Sequence, residues 1–407
     1  MTCASAASLA SHDRCSAGPG SPTSGASFYL LASITVTLLA GSSAPTPLYP
    51  IYQAEWDFSS ATLTLIFGIY ALALLGALLI AGRLSDHVGR RPVLLVATTI
   101  QALVMVQFSM AEGVAGLLVA RVIQGISTGA AIAAVGAGLL DLNKKTGAIA
   151  NAVAPGLGTA LGAIVSGLMV SYLPAPTHLV YLALSTVFAL QAVAVWRMPE
   201  TGAPHRGAFA SLKPRLSLPV SVRAAVIVAL PLLVAAWALA GFYASLAPML
   251  LHRTFGLDAS LAGGIGLFAL TGSGAAAVLI LRDRGAQPLM SVGAGALMIG
   301  TAITLVSFWL RVPAAFFLGT ILAGTGFGCG FQGVIRTVVP FAASNERAGV
   351  LSVIFVVSYL AMGLPAIVAG LVVSRGGNVL ATSVGFGTIV VALAGLGLRG
   401  ALQPRSK

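Results

Sequence analysis

Little of this chain is charged: Asp, Glu, Lys and Arg make up 8% of its 407 residues, against about 25% in a soluble domain. A water-facing globule is thereby excluded. Acid is scarcer than base, 10 residues against 22, and no carboxylate falls deep inside a long apolar run. Glu55, Asp57 and Glu112 stand near the ends of such runs on one side, Asp86 and Asp141 on the other. Cys3, Cys15 and Cys329 have no framework spacing, which excludes a structural disulfide set or a cysteine metal site. No glycine-rich loop ends in Gly-Lys-Ser/Thr, so an ATP-driven pump is not indicated. Nor is there an ordered nucleophile, base and metal cluster, and we expect no enzyme activity, cofactor or metal.

What fills the chain instead is hydrophobicity, 57% by residue with a mean hydropathy of +0.98. Apolar runs of about 20 residues, each long enough to cross a hydrocarbon core as a helix, recur about twelve times. The expected spans are 28–50, 59–82, 93–111, 115–140, 148–173 and 178–197, then 223–250, 259–281, 288–310, 314–340, 348–374 and 379–399. The fold class is therefore all-α and membrane-embedded. Residues 1–27, rich in Ser, Ala, Gly and Pro, read as a disordered tail, and 400–407 as a second tail. The run from Phe28 into Ser42, Ser43 and Ala44 imitates a signal peptide, but the long, weakly basic leader and the many later spans favour an uncleaved first helix.

The net charge of +12 does not form a nucleic-acid stripe. Basic residues fall in alternate loops: Arg83, Arg90 and Arg91, then Lys144 and Lys145, then Arg197 to Arg223, Arg282 and Arg284, Arg347, and the C-terminal Arg399, Arg405 and Lys407. The intervening loops hold only Arg253, Arg311 and Arg375. This asymmetry places both termini in the cytoplasm. The longest interior polar gap, 198–222, with Pro204, His205, Arg206, Lys213, Pro214 and Arg215, reads as a linker between bundles 28–197 and 223–399. The halves echo each other: Asp86 to Pro92 has a counterpart in Asp283, Arg284, Gly285 and Pro288, and Lys144 to Gly147 in Glu346 to Gly349.

Between the second and third runs stands Gly82, Arg83, Leu84, Ser85, Asp86, His87, Val88, Gly89, Arg90, Arg91, Pro92. Asp86 and Arg90 are four apart, the glycines permit tight turning, and Pro92 can open a helix. The stretch resembles the loop signature of the major facilitator superfamily of transporters. Leu117, Arg121, Gln124, Gly125, Gly129 and Ala130 are similar to that family's fourth-helix motif, and Pro199, Glu200, Thr201 to its sixth-helix ending. Asn151, Pro155, Gly156, Gly158, Thr159, Gly162, Ala163 and Gly167 resemble its antiporter motif, with Thr159 where the motif has Pro and Ala163 where it has Gly.

The resemblance implies two pseudo-symmetric six-helix bundles that expose a central site alternately to each side. It further implies a conformational switch made of Gly82, Asp86, Gly89, Arg90, Arg91 and an acid at the end of the fourth helix, here Asp141. The alternative is that the loop arginines simply fix topology. Asp86, near a helix N-terminus, is expected to be favoured by its orphan N–H groups. Arg121, with Gln124 one turn on, is the candidate coupling residue; it either faces a polar cavity or snorkels outward. Pro155, Gly158 and Gly162 are read as helix-packing residues, and the glycines 324 to 330 likewise.

Candidate cargo contacts are Thr46, Tyr49, Thr128, Trp237, Tyr243 and Gln332, beside a first helix bent by Pro45 and Pro47. Such a sparsely charged lining suits amphipathic organic molecules. The expected partners are the lipid bilayer of a plasma membrane, bacterial inner membrane by family analogy, a small-molecule substrate and protons, with the chain a monomer. The leading expectation is proton-coupled export of a small organic or drug-like compound. Uptake or facilitated diffusion of a metabolite, and a non-transporting sensor or scaffold, stay open.

Overall fold

A computed structural model of the chain describes residues 22–202, 212, 216–343 and 346–403, and among them there is helix but no strand. The linker residues Pro204, His205, Arg206, Lys213, Pro214 and Arg215, the tail cysteines Cys3 and Cys15, and Arg405 and Lys407 lie outside the described residues. Among the described residues, twelve helices are long and apolar enough to cross a membrane. The first half holds Gly25–Trp56, Ser60–Ala81, Arg90–Ser109, Val114–Leu142, Lys144–Tyr172 and Pro176–Arg197. The second holds Val220–Ser245, Ala259–Ile280, Ala286–Leu310, Pro313–Phe341, Arg347–Ser374 and Val379–Leu402. They are called the first to twelfth spans below.

Ends differ from expectation where local chemistry overrides hydropathy. The first helix begins at Pro22, inside the stretch read as a tail. The third begins at Arg90 because Gly89, at φ 106°, reverses the chain there. The seventh stops at Ser245, and a separate helix Ala247–Phe255 carries the chain on to Gly256. Side-chain caps satisfy orphan amides at several starts: Ser59 accepts from the Thr62 amide, Asn143 from Lys145 and Thr146, Asp258 from Leu261, and Asn378 from Leu380 and Ala381.

The two halves have separate cores. One gathers Leu31, Tyr49, Met105, Leu117, Phe188 and Met198, and the other runs from Val222 to Ala401 with Phe67 and Ala163 as visitors. Internal repetition is visible in backbone detail. Helix Tyr49–Trp56 ends on left-handed Asp57 two residues before the Ser59 cap, and helix Ala247–Phe255 ends on left-handed Gly256 two residues before the Asp258 cap. The first and seventh spans, equivalent under the repeat, are thus both broken near the same membrane face. That face is called the opposite face, and the one bearing Asp86 and Asp141 the basic face.

Between halves, the fifth span packs on the eighth and the second on the eleventh. Glycine makes both approaches close. Gly167 lies against Ser260 and Gly264, Gly156 against Thr271 and Ala275, Gly370 against Ser60 and Thr64, and Gly68 against Ile367. These approaches run from the opposite face to mid-depth.

Candidate functional site

Pro45 and Pro47 interrupt the first span, leaving helix Pro22–Ser43, a short turn at Thr46–Leu48 and helix Tyr49–Trp56. Proline has no N–H, so the carbonyl of Gly41, four residues before Pro45, loses its helical donor. In a membrane interior such a carbonyl must be satisfied from elsewhere. Gln124 Nε2 donates to it at 3.0 Å, and Arg121 Nη1 donates to the next carbonyl, that of Ser42, at 3.0 Å. Arg121 Nη1 also donates to Gln124 Oε1 at 2.8 Å and Nη2 to the Tyr49 hydroxyl at 2.6 Å.

Arg121 is 0% exposed, so it does not snorkel. Its guanidinium carbon sits 5.2 Å from the ring centre of Tyr70 and 5.7 Å from those of Tyr49 and Phe108. No carboxylate pairs with it among the described residues, where ion pairs join Arg90 to Asp86 and Asp141, and Arg282 to Asp283. The free carbonyl end of helix Pro22–Ser43 supplies the equivalent of about half a negative charge. Thr128 is bound to the same wall from behind, accepting from Gln101 Nε2 at 2.7 Å.

A second group lies across the interface between halves. The Trp237 ring stands 5.3 Å from Phe331, 5.3 Å from Tyr359 and 5.8 Å from Phe327. Tyr359 shares a buried cluster with Tyr70, Leu74 and Leu75 of the other half. Trp237 thus meets Tyr359 ring to ring, Tyr359 and Tyr70 share one buried cluster, and Tyr70 faces Arg121. Of the remaining candidate cargo residues, Tyr243 bonds the Thr320 hydroxyl at 2.6 Å and Thr46 donates to the Ala244 carbonyl at 3.2 Å. Gln332 is half-buried, next in sequence to Phe331. Sequence reading did not single out Tyr70, Tyr359 or Gln101, because their partners come from other spans.

At the basic face, Arg90 draws the loop together. Its Nη1 donates to Ser85 Oγ at 2.7 Å and pairs with Asp86, and its Nε donates to Asp141 at 3.3 Å. Asp86 was expected at a helix N-terminus. It does stand in the first turn of the short helix Leu84–Val88, but the orphan amides of the third span belong to Glu200. Glu200 accepts from the amides of Arg90 at 2.8 Å and Arg91 at 3.0 Å, and also from Thr201 and Gly202. Arg91 reaches the Trp196 carbonyl. Gly89 is required twice over, by its positive φ and because a Cβ there would meet Glu200 Oε2 at 2.6 Å. Gly82 leaves no room for a Cβ against the Leu78 carbonyl.

On the fifth span, Gly158 and Gly162 lie against Val36 and Ala40 of the first. Pro155 is inside the helix, and Thr159 Oγ1 donates back to its carbonyl at 3.0 Å. One glycine face thus holds the first span, and Gly156 and Gly167 on the other hold the eighth. Among the described residues, no three His, Cys, Asp or Glu gather as metal ligands.

Comparison with known proteins agrees with this architecture. Multidrug resistance protein MdtL of Klebsiella pneumoniae (strain 342) is 33% identical over 103 residues, which is 25% of this chain and 26% of that protein. The chain thus matches about a quarter of its curated relatives' length. A bacterial homologue of the human lysosomal transporter Spinster, solved inward-facing and occupied, superposes with a TM-score of 0.69 at 13% identity, covering 94% of this chain and 97% of that one. A mutant of the nucleoside transporter NupG superposes at 0.67 with 14% identity, covering 93% and 98%. At these identities the likeness establishes the fold. The sequence profile of the Major Facilitator Superfamily matches residues 31–366, and the chain belongs to that superfamily, a family of membrane transporters rather than of enzymes.

Proposed function

We propose that this chain is a secondary active transporter of a bacterial inner membrane that exports a small organic, drug-like molecule in exchange for protons. It works by alternating access, as a monomer with both termini in the cytoplasm. The observation that carries the reading is the pair of broken spans, first and seventh, at equivalent places in the two halves and joined by the Thr46 to Ala244 hydrogen bond. Interrupted helices in corresponding positions are where transporters of this architecture place their sites. The partial match to MdtL supports export of drug-like compounds.

In this reading Asp86, Arg90 and Asp141, braced by Gly82, Gly89 and Arg91, form the switch, and Arg121 with Gln124 couples the site to the bend of the first span. Trp237 and Gln332 meet cargo on the far wall. Thr46, Tyr49, Thr128 and Tyr243 shape the site while hydrogen-bonded to protein. With the basic face cytoplasmic, closure from the opposite face to mid-depth makes this the inward-facing conformer.

One observation favours a second reading, facilitated diffusion or uptake: every described carboxylate lies near one of the two faces, leaving none at mid-depth to carry a proton. Accumulation in inverted vesicles, with and without an imposed proton gradient, separates the two. Gradient-dependent accumulation that Asp86→Asn abolishes supports export, and accumulation indifferent to the gradient replaces it with facilitation.

A further inference from the structure

Arg121 is a cation fully removed from water inside a span, and burying such a charge is costly unless something compensates it. Its partners are neutral: a backbone carbonyl, an amide oxygen, a phenol and three aromatic faces. The helix end offsets about half the charge, and the rest has no counter-charge on the described chain. Unused hydrogen-bonding groups point the same way. Arg121 Nε, the Tyr70 hydroxyl and Trp237 Nε1 are all buried, and none has a partner. Each of the three can donate a hydrogen bond, and two can only donate. What the site lacks is an acceptor carrying negative charge.

The aromatic contacts say where the rest of such a molecule lies. Tyr70 faces the guanidinium and shares a buried cluster with Tyr359, and Trp237, Phe327 and Phe331 continue the wall into the second half. Because no carboxylate among the described residues faces this wall, a cationic cargo would meet only repulsion from Arg121. The uncompensated half of the Arg121 charge, about 10 Å from a cargo charge at an effective dielectric of about 20, changes affinity by about fourfold relative to a neutral isostere.

Resting on the transporter reading above, we propose that the cargo class is monoanionic and aromatic, a carboxylate on an apolar ring system. Arg121 selects its charge, and the wall of Tyr70, Tyr359, Trp237, Phe327 and Phe331 takes its body. The site excludes amphipathic cations by the same field.

The test uses three compounds of one shape: naphthoate, its neutral amide and naphthylmethylammonium. Binding to the purified full chain is read by tryptophan quenching, with Trp237→Phe assigning the signal, and movement is read by counterflow in proteoliposomes. Naphthoate is expected to bind at least about fourfold more tightly than the amide, with the ammonium weakest. Arg121→Gln is expected to reduce naphthoate to the level of the amide, and Arg121→Lys to retain most of the preference. Equal or stronger binding of the amide or the ammonium by the unaltered chain overturns the proposal, even if no Arg121 variant folds. A preference that survives Arg121→Gln overturns it as well. Anion-selective binding without counterflow of any compound upholds the charge selection and sinks the transporter reading instead.

Discussion

Gln124 Nε2 donates at 3.0 Å to the Gly41 carbonyl, the one carbonyl of the first span whose helical donor would be the missing amide of Pro45. A side chain of the fourth span thus completes the backbone of the first. The family-like Arg121 and Gln124, one turn apart, acquire a structural reason for their spacing: they meet the consecutive carbonyls of Gly41 and Ser42 at the break.

Gln124→Leu is therefore expected to lower stability by about 1 to 3 kcal/mol, the cost of orphaning a buried carbonyl. Adding Pro45→Ala supplies a backbone N–H four residues from Gly41 and should recover part of that loss. Thermal unfolding of the four proteins in detergent gives the coupling. Strictly additive losses would show that Pro45 and Gln124 do not act on the same carbonyl.

Glu200 caps the third span from 110 residues away in sequence. Glu200→Ala should cost about 0.5 to 2 kcal/mol, as for other lost caps. Gly89→Ala should cost about 1 to 3 kcal/mol from its backbone conformation alone, and more because its Cβ collides with the Glu200 carboxylate. In the Glu200→Ala background the collision is gone, so Gly89→Ala should cost less there. An unchanged penalty would mean that the strain is entirely local to the turn.

These two cases mark what was legible beforehand. Twelve spans are written in hydropathy and are found among the described residues, and the spacing of Asp86 and Arg90 is met by an ion pair. Pro45 announced a bend, but not which residues would answer it. Arg121 was ambiguous because its depth along the fourth span says nothing of the neighbour it meets; the broken first span turns it inward. Glu200, Tyr70, Tyr359 and Gln101 owe their roles to contacts between distant spans, which no local pattern encodes. The early end of the seventh span at Ser245 was hidden by the apolar run continuing through Leu250 and Leu251.

Glycine substitutions separate packing from mere composition. A Cβ at Gly162 would run into the Ala40 carbonyl and the Ser43 hydroxyl, and one at Gly158 into Val36. Gly162→Val and Gly158→Val should leave little folded protein. At Gly295 a Cβ meets nothing within 4 Å, so Gly295→Ala should be neutral or stabilise by up to about 1 kcal/mol through helix propensity. Size-exclusion yield after solubilisation distinguishes them. Comparable yields for all three would deny that the first and fifth spans meet at these glycines.

The Thr46 hydroxyl donates to the Ala244 carbonyl across the halves, and Pro248, four residues on, is why that carbonyl has no helical donor. The bond should therefore favour the conformer closed at the opposite face. Thr46→Val keeps the shape and removes the donor, at about 1 kcal/mol, or roughly a fivefold fall in the ratio of closed to open conformers. Ser60 Oγ and Met249 Sδ lie 3.8 Å apart on the same face, so a Ser60→Cys, Met249→Cys pair joined by a short thiol-reactive linker reports closure. Joining should be slower in the Thr46→Val background, by up to about that factor. An unchanged rate would assign closure to the glycine contacts of the second and fifth spans alone, since those are untouched by the substitution. A slower rate would make the two proline breaks one device, because the carbonyl that one proline frees is held by a residue flanked by two others.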